Sequence, residues 1–180
     1  AISALITTLS LVSFYEPIRQ AIPPFQLMFE GFDRPEDRPH TLSWLWTQFA
    51  VGFAVMLPMI WLFGQWGLES LVVIPILINV IGDGLAEPVG VRFGKYRYKT
   101  RALFTNKEYF RTFEGSACVL ITGFIVVAMH ADYFTTTQYA LAMLSVPIIM
   151  TLTEAYSPHT WDTPFLMFTG YASLILIMQF

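Results

Sequence analysis

Long apolar runs constrain this chain more than any other feature. Six of them, roughly Ala1–Phe14, Thr41–Phe63, Leu68–Val89, Thr112–His130, Gln138–Ala155 and Asp162–Phe180, take up most of its 180 residues. A helix that crosses a bilayer needs about 20 mostly apolar residues, so five of these runs suit full spans and the first a short one. Strands of a membrane barrel would be shorter and would alternate in polarity. Charged residues make up only 13% of the chain, against about 25% in an ordinary soluble domain. The fold class expected is therefore all-α, a polytopic membrane protein with about six transmembrane helices forming one domain over residues 1–180. Pro58, Pro75 and Pro147 fall inside spans, where membrane helices tolerate them as kinks. The chain begins at Ala1 without Met or a charged leader, and it is expected to be N-terminally incomplete. Cys118 is the single cysteine, so no internal disulfide can form.

The basic residues give the runs a direction. Arg19, Arg34 and Arg38 lie in the first connection, and Arg92, Lys95, Arg97, Lys99, Arg101, Lys107 and Arg111 lie in the third, which accounts for all 10. Six spans put the first, third and fifth connections on one side. The second and fourth carry no Lys or Arg. The positive-inside rule then assigns the basic side to the cytoplasm, or to its equivalent in an organelle such as a plastid or the endoplasmic reticulum. Trp44, Trp46, Trp61 and Trp66 bracket the second run, as an interfacial aromatic belt would.

Four segments carry residues with chemistry. The first is Asn79-Val80-Ile81-Gly82-Asp83-Gly84-Leu85-Ala86-Glu87. Asp83 lies roughly 22 Å along its run, counted from Leu68 at 1.5 Å per residue, near the basic side. An ionisable group there is either functional or hydrogen-bonded to another helix, and Gly82 and Gly84 allow close approach by a backbone or a ligand. The second is the stretch Val91–Arg111, whose cations suit either a triphosphate or anionic lipid headgroups. Gly90-Val91-Arg92-Phe93-Gly94-Lys95 is not a Walker A loop, because its spacing is one residue short and Tyr96 follows the Lys. The third is Arg111-Thr112-Phe113-Glu114-Gly115-Ser116, where Glu114 is favoured by a helix N-terminus whatever else it does. The fourth runs from Thr153 to Pro164. Asp162 before Thr-Pro reads as a helix N-cap, whereas Glu154 ends a helix whose dipole disfavours an anion, so a nearby cation is expected. His40, His130 and His159 show no metal spacing. Under six spans, Asp83, Glu87, Glu114, Glu154 and Asp162 all gather on the basic side.

Taken together these residues resemble a known family. Asn79 to Gly94, read as N-x-x-G-D-x-x-A-E-x-V-G-x-x-F-G, followed by R-T-F-E-G-S at Arg111–Ser116 and by Glu154, Ser157, Pro158, Asp162 and Pro164, is similar to the CTP-dependent polyprenol kinases. That family includes dolichol, phytol and farnesol kinases and a CTP-using diacylglycerol kinase, and it is distantly similar to CDP-diacylglycerol synthases. The family usually has Lys where this chain has Arg111. The resemblance implies phosphorylation of a membrane lipid alcohol, with CTP as donor and Mg²⁺ as cofactor. It assigns Asp83, Glu87 and Glu114 to the metal. Lys95, Lys99, Arg111, Gly82, Gly84, Gly115 and Ser116 would hold the nucleotide, and Asp83, Glu154 and Asp162 would serve catalysis. The partners implied are a membrane lipid, the lipid alcohol and the nucleotide, with no nucleic acid, and a homo-oligomer or larger membrane complex is allowed. Two alternatives stay open: a cytidylyltransferase that makes a CDP-lipid, and a catalytically silent subunit or assembly factor.

Overall fold

The computed structural model describes residues 9, 12–30, 33, 37–101, 108–159 and 161–180. Most of the first apolar run, together with Arg34 and Lys107 of the basic stretches, lies outside them. The chain divides into two compact units, Ala1–Phe53 and Ala54–Phe180.

In the first unit the stretch before His40 is not simply a connection. It carries two short helices, α1 (Glu16–Ala21) and α2 (Pro23–Glu30). Each starts at or next to a proline, whose fixed φ suits the first helical turn. Phe14 and Phe29 meet at 5.8 Å between ring centroids and bury with Leu45. Arg19 lies over the Phe29 ring at 3.8 Å, a cation–π contact. Arg38 pairs with Asp33 at 2.8 Å, and Thr41 donates to the same carboxylate at the start of α3 (Thr41–Gln65).

The second unit holds the end of α3 and the rest of the chain. A helical run from Glu69 to Phe93 changes winding three times. A 3-10 turn (Glu69–Leu71) leads into α4 (Val73–Leu77), then a π-helical segment (Ile78–Asp83), then α5 (Gly84–Phe93). After α6 (Phe113–Met129) come a 3-10 turn (Ala131–Tyr133), α7 (Thr136–Tyr156) and α8 (Asp162–Ile177). Thr112 caps α6 by accepting from Gly115 N–H at 3.0 Å, and Thr135 with Gln138 forms a capping box on α7. Among the described residues three helical runs are long and apolar enough to cross a membrane: Thr41–Gln65, Glu69–Phe93 and Thr136–Tyr156. The helices Phe113–Met129 and Asp162–Ile177 are apolar but shorter.

Small residues set the helix packing. A Cβ on Gly123 would come within 2.9 Å of Pro147, and one on Gly170 within 2.8 Å of Pro75, so α6 meets α7 and α8 meets α4 at close range. Phe63, Ile74, Ile78, Val119, Val146, Met150 and Tyr171 form the centre of the core. Tyr171 sits edge-on to Phe63 at 5.6 Å and donates its hydroxyl proton to the Val72 carbonyl, which satisfies the one polar atom a buried tyrosine brings with it.

The basic stretch after α5 departs from the all-α expectation. Arg97–Arg101 and Glu108–Thr112 form antiparallel strands β1 and β2, with Tyr98 opposite Arg111 and Thr100 opposite Tyr109. The alternation Arg97-Tyr98-Lys99-Thr100-Arg101 is the period of a strand with one covered face. Arg97, Lys99 and Arg101 are exposed, Tyr98 is half-buried and Thr100 is buried.

Candidate functional site

The inner face of the strand pair lies against the ends of α6, α7 and α8. Thr100 donates to the Ser157 carbonyl at 3.2 Å, His159 N–H donates to the Arg101 carbonyl at 2.8 Å, and the His159 ring stacks on Tyr109 at 3.8 Å. These contacts deliver Arg111 to the helix ends. One guanidinium nitrogen of Arg111 reaches Glu154 Oε1 at 2.6 Å and also donates to the Glu154 main-chain carbonyl. The other reaches Asp162 Oδ2 at 3.1 Å. The Arg111 side chain is 12% exposed and that of Glu154 5%.

Glu154 is held from its other side too. Ser116, in the first turn of α6, donates to Glu154 Oε2 at 2.7 Å, and the Tyr98 hydroxyl lies 2.6 Å from Ser116 Oγ. Ser157 donates to the Glu154 carbonyl. The cation expected near the end of α7 is Arg111, supplied by strand β2. Burial works to lower the Arg111 pKa, but the carboxylates of Asp162, Glu154 and Asp83 outweigh it and hold the guanidinium firmly charged. Burial also pushes the Tyr98 phenol above its ordinary range.

The other expected residues fall around this centre. Asp83 ends the π-helical segment and is close enough to Arg111 for its charge to be felt there. Asp162 is the first residue of α8 rather than the cap before it; its Oδ1 accepts from Thr163 N–H while Oδ2 serves Arg111. Gly82 and Gly115 are packing positions. A Cβ on Gly82 would stand 2.9 Å from Val119 Cα, and one on Gly115 2.6 Å from the Ala86 carbonyl. Gly84 faces open space. Ser116 is buried in the Glu154 network. Lys99 is exposed and paired with Glu108 at 2.8 Å. Lys95 is exposed, and its main-chain N–H donates to Glu114 Oε1 at 2.9 Å. Glu87 is exposed on α5.

Among the described residues no group of three or more His, Cys, Asp or Glu side chains is placed to hold a metal ion. Asp83, Glu87 and Glu114 therefore do not form an all-protein cage. Among the described residues of the second unit, two acceptor atoms sunk from solvent, Glu114 Oε2 and Asn79 Oδ1, have no hydrogen-bond partner. Mg²⁺ commonly takes only one or two carboxylates and shares the rest of its shell with phosphate and water. The donors present fit that shared mode.

Sequence reasoning missed Tyr98, and it quoted Asn79 within a motif without giving it a role. The signal for Tyr98 was the strand-like alternation of basic and uncharged residues. Asn79 lies four residues before Asp83 within the motif that drew attention to Asp83.

No protein-family model matches the chain, and no curated protein or solved structure matches it either. The class that fold and site define is a mostly helical protein with three possible membrane spans among the described residues and a buried Arg–Glu–Asp–Ser network at the helix ends.

Proposed function

We propose that this chain phosphorylates a membrane lipid alcohol with CTP, at the cytoplasmic-type face of a membrane crossed by about six helices. The observation that carries the reading is one juxtaposition. Glu154 and Asp162 are held by Arg111 within reach of the charge of Asp83, and the same strand pair turns Arg97, Lys99 and Arg101 outward. Acids for a hydroxyl or a shared cation and bases for a polyphosphate then flank one helix-end region, which suits a reaction between a water-soluble nucleotide and a lipid.

In this reading Lys95 and Lys99 attract the triphosphate, and Lys99 exchanges its exposed pair with Glu108 for phosphate at little cost. Arg111 keeps its acids in place instead of gripping phosphate, since both faces of its fork are used. Glu154 or Asp162 orients the lipid hydroxyl and accepts its proton as the oxygen attacks the γ-phosphorus, whose bond to the β–γ bridging oxygen breaks to release CDP. Asp83, with Glu114 or Glu87, would hold Mg²⁺. When bound with the nucleotide, Mg²⁺ supplies charge neutralisation on the phosphates. An apolar groove of about 380 Å³ between α7 and α8, lined by Ile149, Leu152, Tyr156 and Phe165, supports a hydrocarbon tail lying among the spans.

The test uses CTP labelled at the γ or the α position, incubated with membranes and with phytol, farnesol, dolichol, diacylglycerol or phosphatidate. Transfer of γ label to an alcohol is the expected result. Label from the α position alone would establish the cytidylyltransferase instead. No transfer of either label, with stable co-purification in a large complex, would favour a silent subunit. Asp83→Asn with full activity would remove Asp83 from the site.

A further inference from the structure

Glu154 receives a hydrogen bond on each oxygen, and the two donors are secured differently. Arg111 is fixed by its second carboxylate, Asp162. Ser116 has one hydroxyl proton, and it goes to Glu154 Oε2 at 2.7 Å. The 2.6 Å contact between Ser116 Oγ and the Tyr98 hydroxyl therefore has only one consistent direction: Tyr98 donates and Ser116 accepts. The result is a directed chain from the strand pair through α6 to the carboxylate at the end of α7.

A serine inside a helix has a competing option. Its hydroxyl can turn to donate to a main-chain carbonyl one turn back along its own helix, as Ser145 and Ser173 do in α7 and α8 at 2.7 Å. Ser116 does not make that bond; it points across to Glu154. Tyr98 supplies the reason, since its proton occupies the acceptor side of Ser116 and leaves the Ser116 proton aimed at Glu154. Tyr98 is itself fixed. Its ring packs on Phe113 at 5.2 Å, and Arg111 stands opposite it in the strand register.

We infer that Tyr98 is a positioning residue, which acts through Ser116 to set the orientation of the Glu154 carboxylate for the phosphoryl-transfer reaction. This rests on the kinase reading above only for its effect on rate; the directed chain itself does not depend on that reading. Tyr98 touches neither nucleotide nor lipid in this role. It links the arm that carries the basic residues to the group that handles the alcohol.

Tyr98→Phe keeps the ring and removes the proton. Measured with γ-labelled CTP and the best alcohol from the panel, it should lower kcat on the order of fivefold, the effect of one neutral hydrogen bond. KM for CTP should stay within about twofold of the parent value, since no nucleotide contact is lost. Ser116→Ala should lower kcat similarly, and the double variant should be no worse than Ser116→Ala alone, because both break one chain. Full kcat in Tyr98→Phe overturns the inference. So do additive losses in the double variant, or a loss shared equally by kcat, KM and thermal midpoint, which marks a purely structural residue. If the parent protein transfers no label at all, the kinase reading fails separately. The chain is then judged by thermal unfolding of the purified full-length protein. Non-additive destabilisation by Tyr98→Phe and Ser116→Ala supports it, and additive destabilisation overturns it.

Discussion

At the scale of single residues, Arg111 decides whether two acids can exist where they are. Glu154 is 4% exposed, and a carboxylate so deep is tolerated only when paired. Removing one partner of a buried pair typically costs about 3–5 kcal/mol, because the other charge is left stranded. Arg111→Ala should therefore lower the thermal midpoint of the detergent-solubilised protein sharply. Arg111→Met combined with Glu154→Gln should recover part of the loss without restoring any activity. A small effect of Arg111→Ala alone would show that the acids find another partner. Tyr98 gives a second prediction. Its phenol is pushed above the ordinary value of 10.0 by burial. For a group raised on folding, the stabilising neutral form is fully present below the unfolded pKa and is lost only as pH rises through the folded one. The phenolate absorbance that distinguishes the parent protein from Tyr98→Phe should therefore appear above pH 10, not at it. The need for a cation at Glu154 was legible from the helix dipole alone. Its identity was not, because Arg111 lies 43 residues from Glu154 and 51 from Asp162, and no local pattern reports such a pairing.

At the scale of elements, the two glycines around Asp83 look alike in sequence and behave differently in the fold. Gly82 lies against the α6 backbone, and Gly84 lies against nothing. Gly82→Ala forces its Cβ onto Val119 Cα and should destabilise by roughly 1–3 kcal/mol, the usual cost of overpacking. Gly84→Ala meets no neighbour and should be neutral or slightly stabilising, since alanine favours the helix. Equal effects on the thermal midpoint would refute the packing described. The helices α6, α7 and α8 were readable as apolar runs, to within a few residues at their ends. The strand pair was hidden by its own charge. Seven Lys and Arg between Arg92 and Arg111 dominate that stretch and drew the reading towards a solvated connection, while the period-2 alternation beneath them went unused. The π-helical segment was unreadable for a different reason. Ile78–Asp83 is mostly apolar and helical by any local criterion, and its winding places Gly82 against α6.

At the scale of the whole molecule, the spacing of charge predicts sidedness. The strand pair and the turn Ala131–Tyr133 lie at opposite ends of α6. If α6 crosses the bilayer, a cysteine at Lys99 and one at Asp132 must be reached by an impermeant thiol reagent from opposite sides. Right-side-out and inverted vesicles of a Cys118→Ser background should label only one position each, with Lys99→Cys on the cytoplasmic side. Labelling of both from the same side would break the six-span reading. The π-helical turn has a consequence on the same scale. A π turn winds in about one residue more than an α turn, so the run from Glu69 to Phe93 holds a stored length that an ordinary helix would lack. Cutting out one residue between Ile78 and Gly82 would let the run relax to regular winding and still leave ample length to cross a bilayer. Because the wider turn has already taken up that residue, the segments upstream and downstream would keep nearly the same phase, whereas a deletion from the α-helical winding of α5 would turn one against the other by roughly 100°. The span would survive either deletion, while only the one in regular α winding would throw the residues on its two sides out of phase. Point substitutions of the motif would not reveal that dependence, because what it protects is a count of residues and not their chemistry.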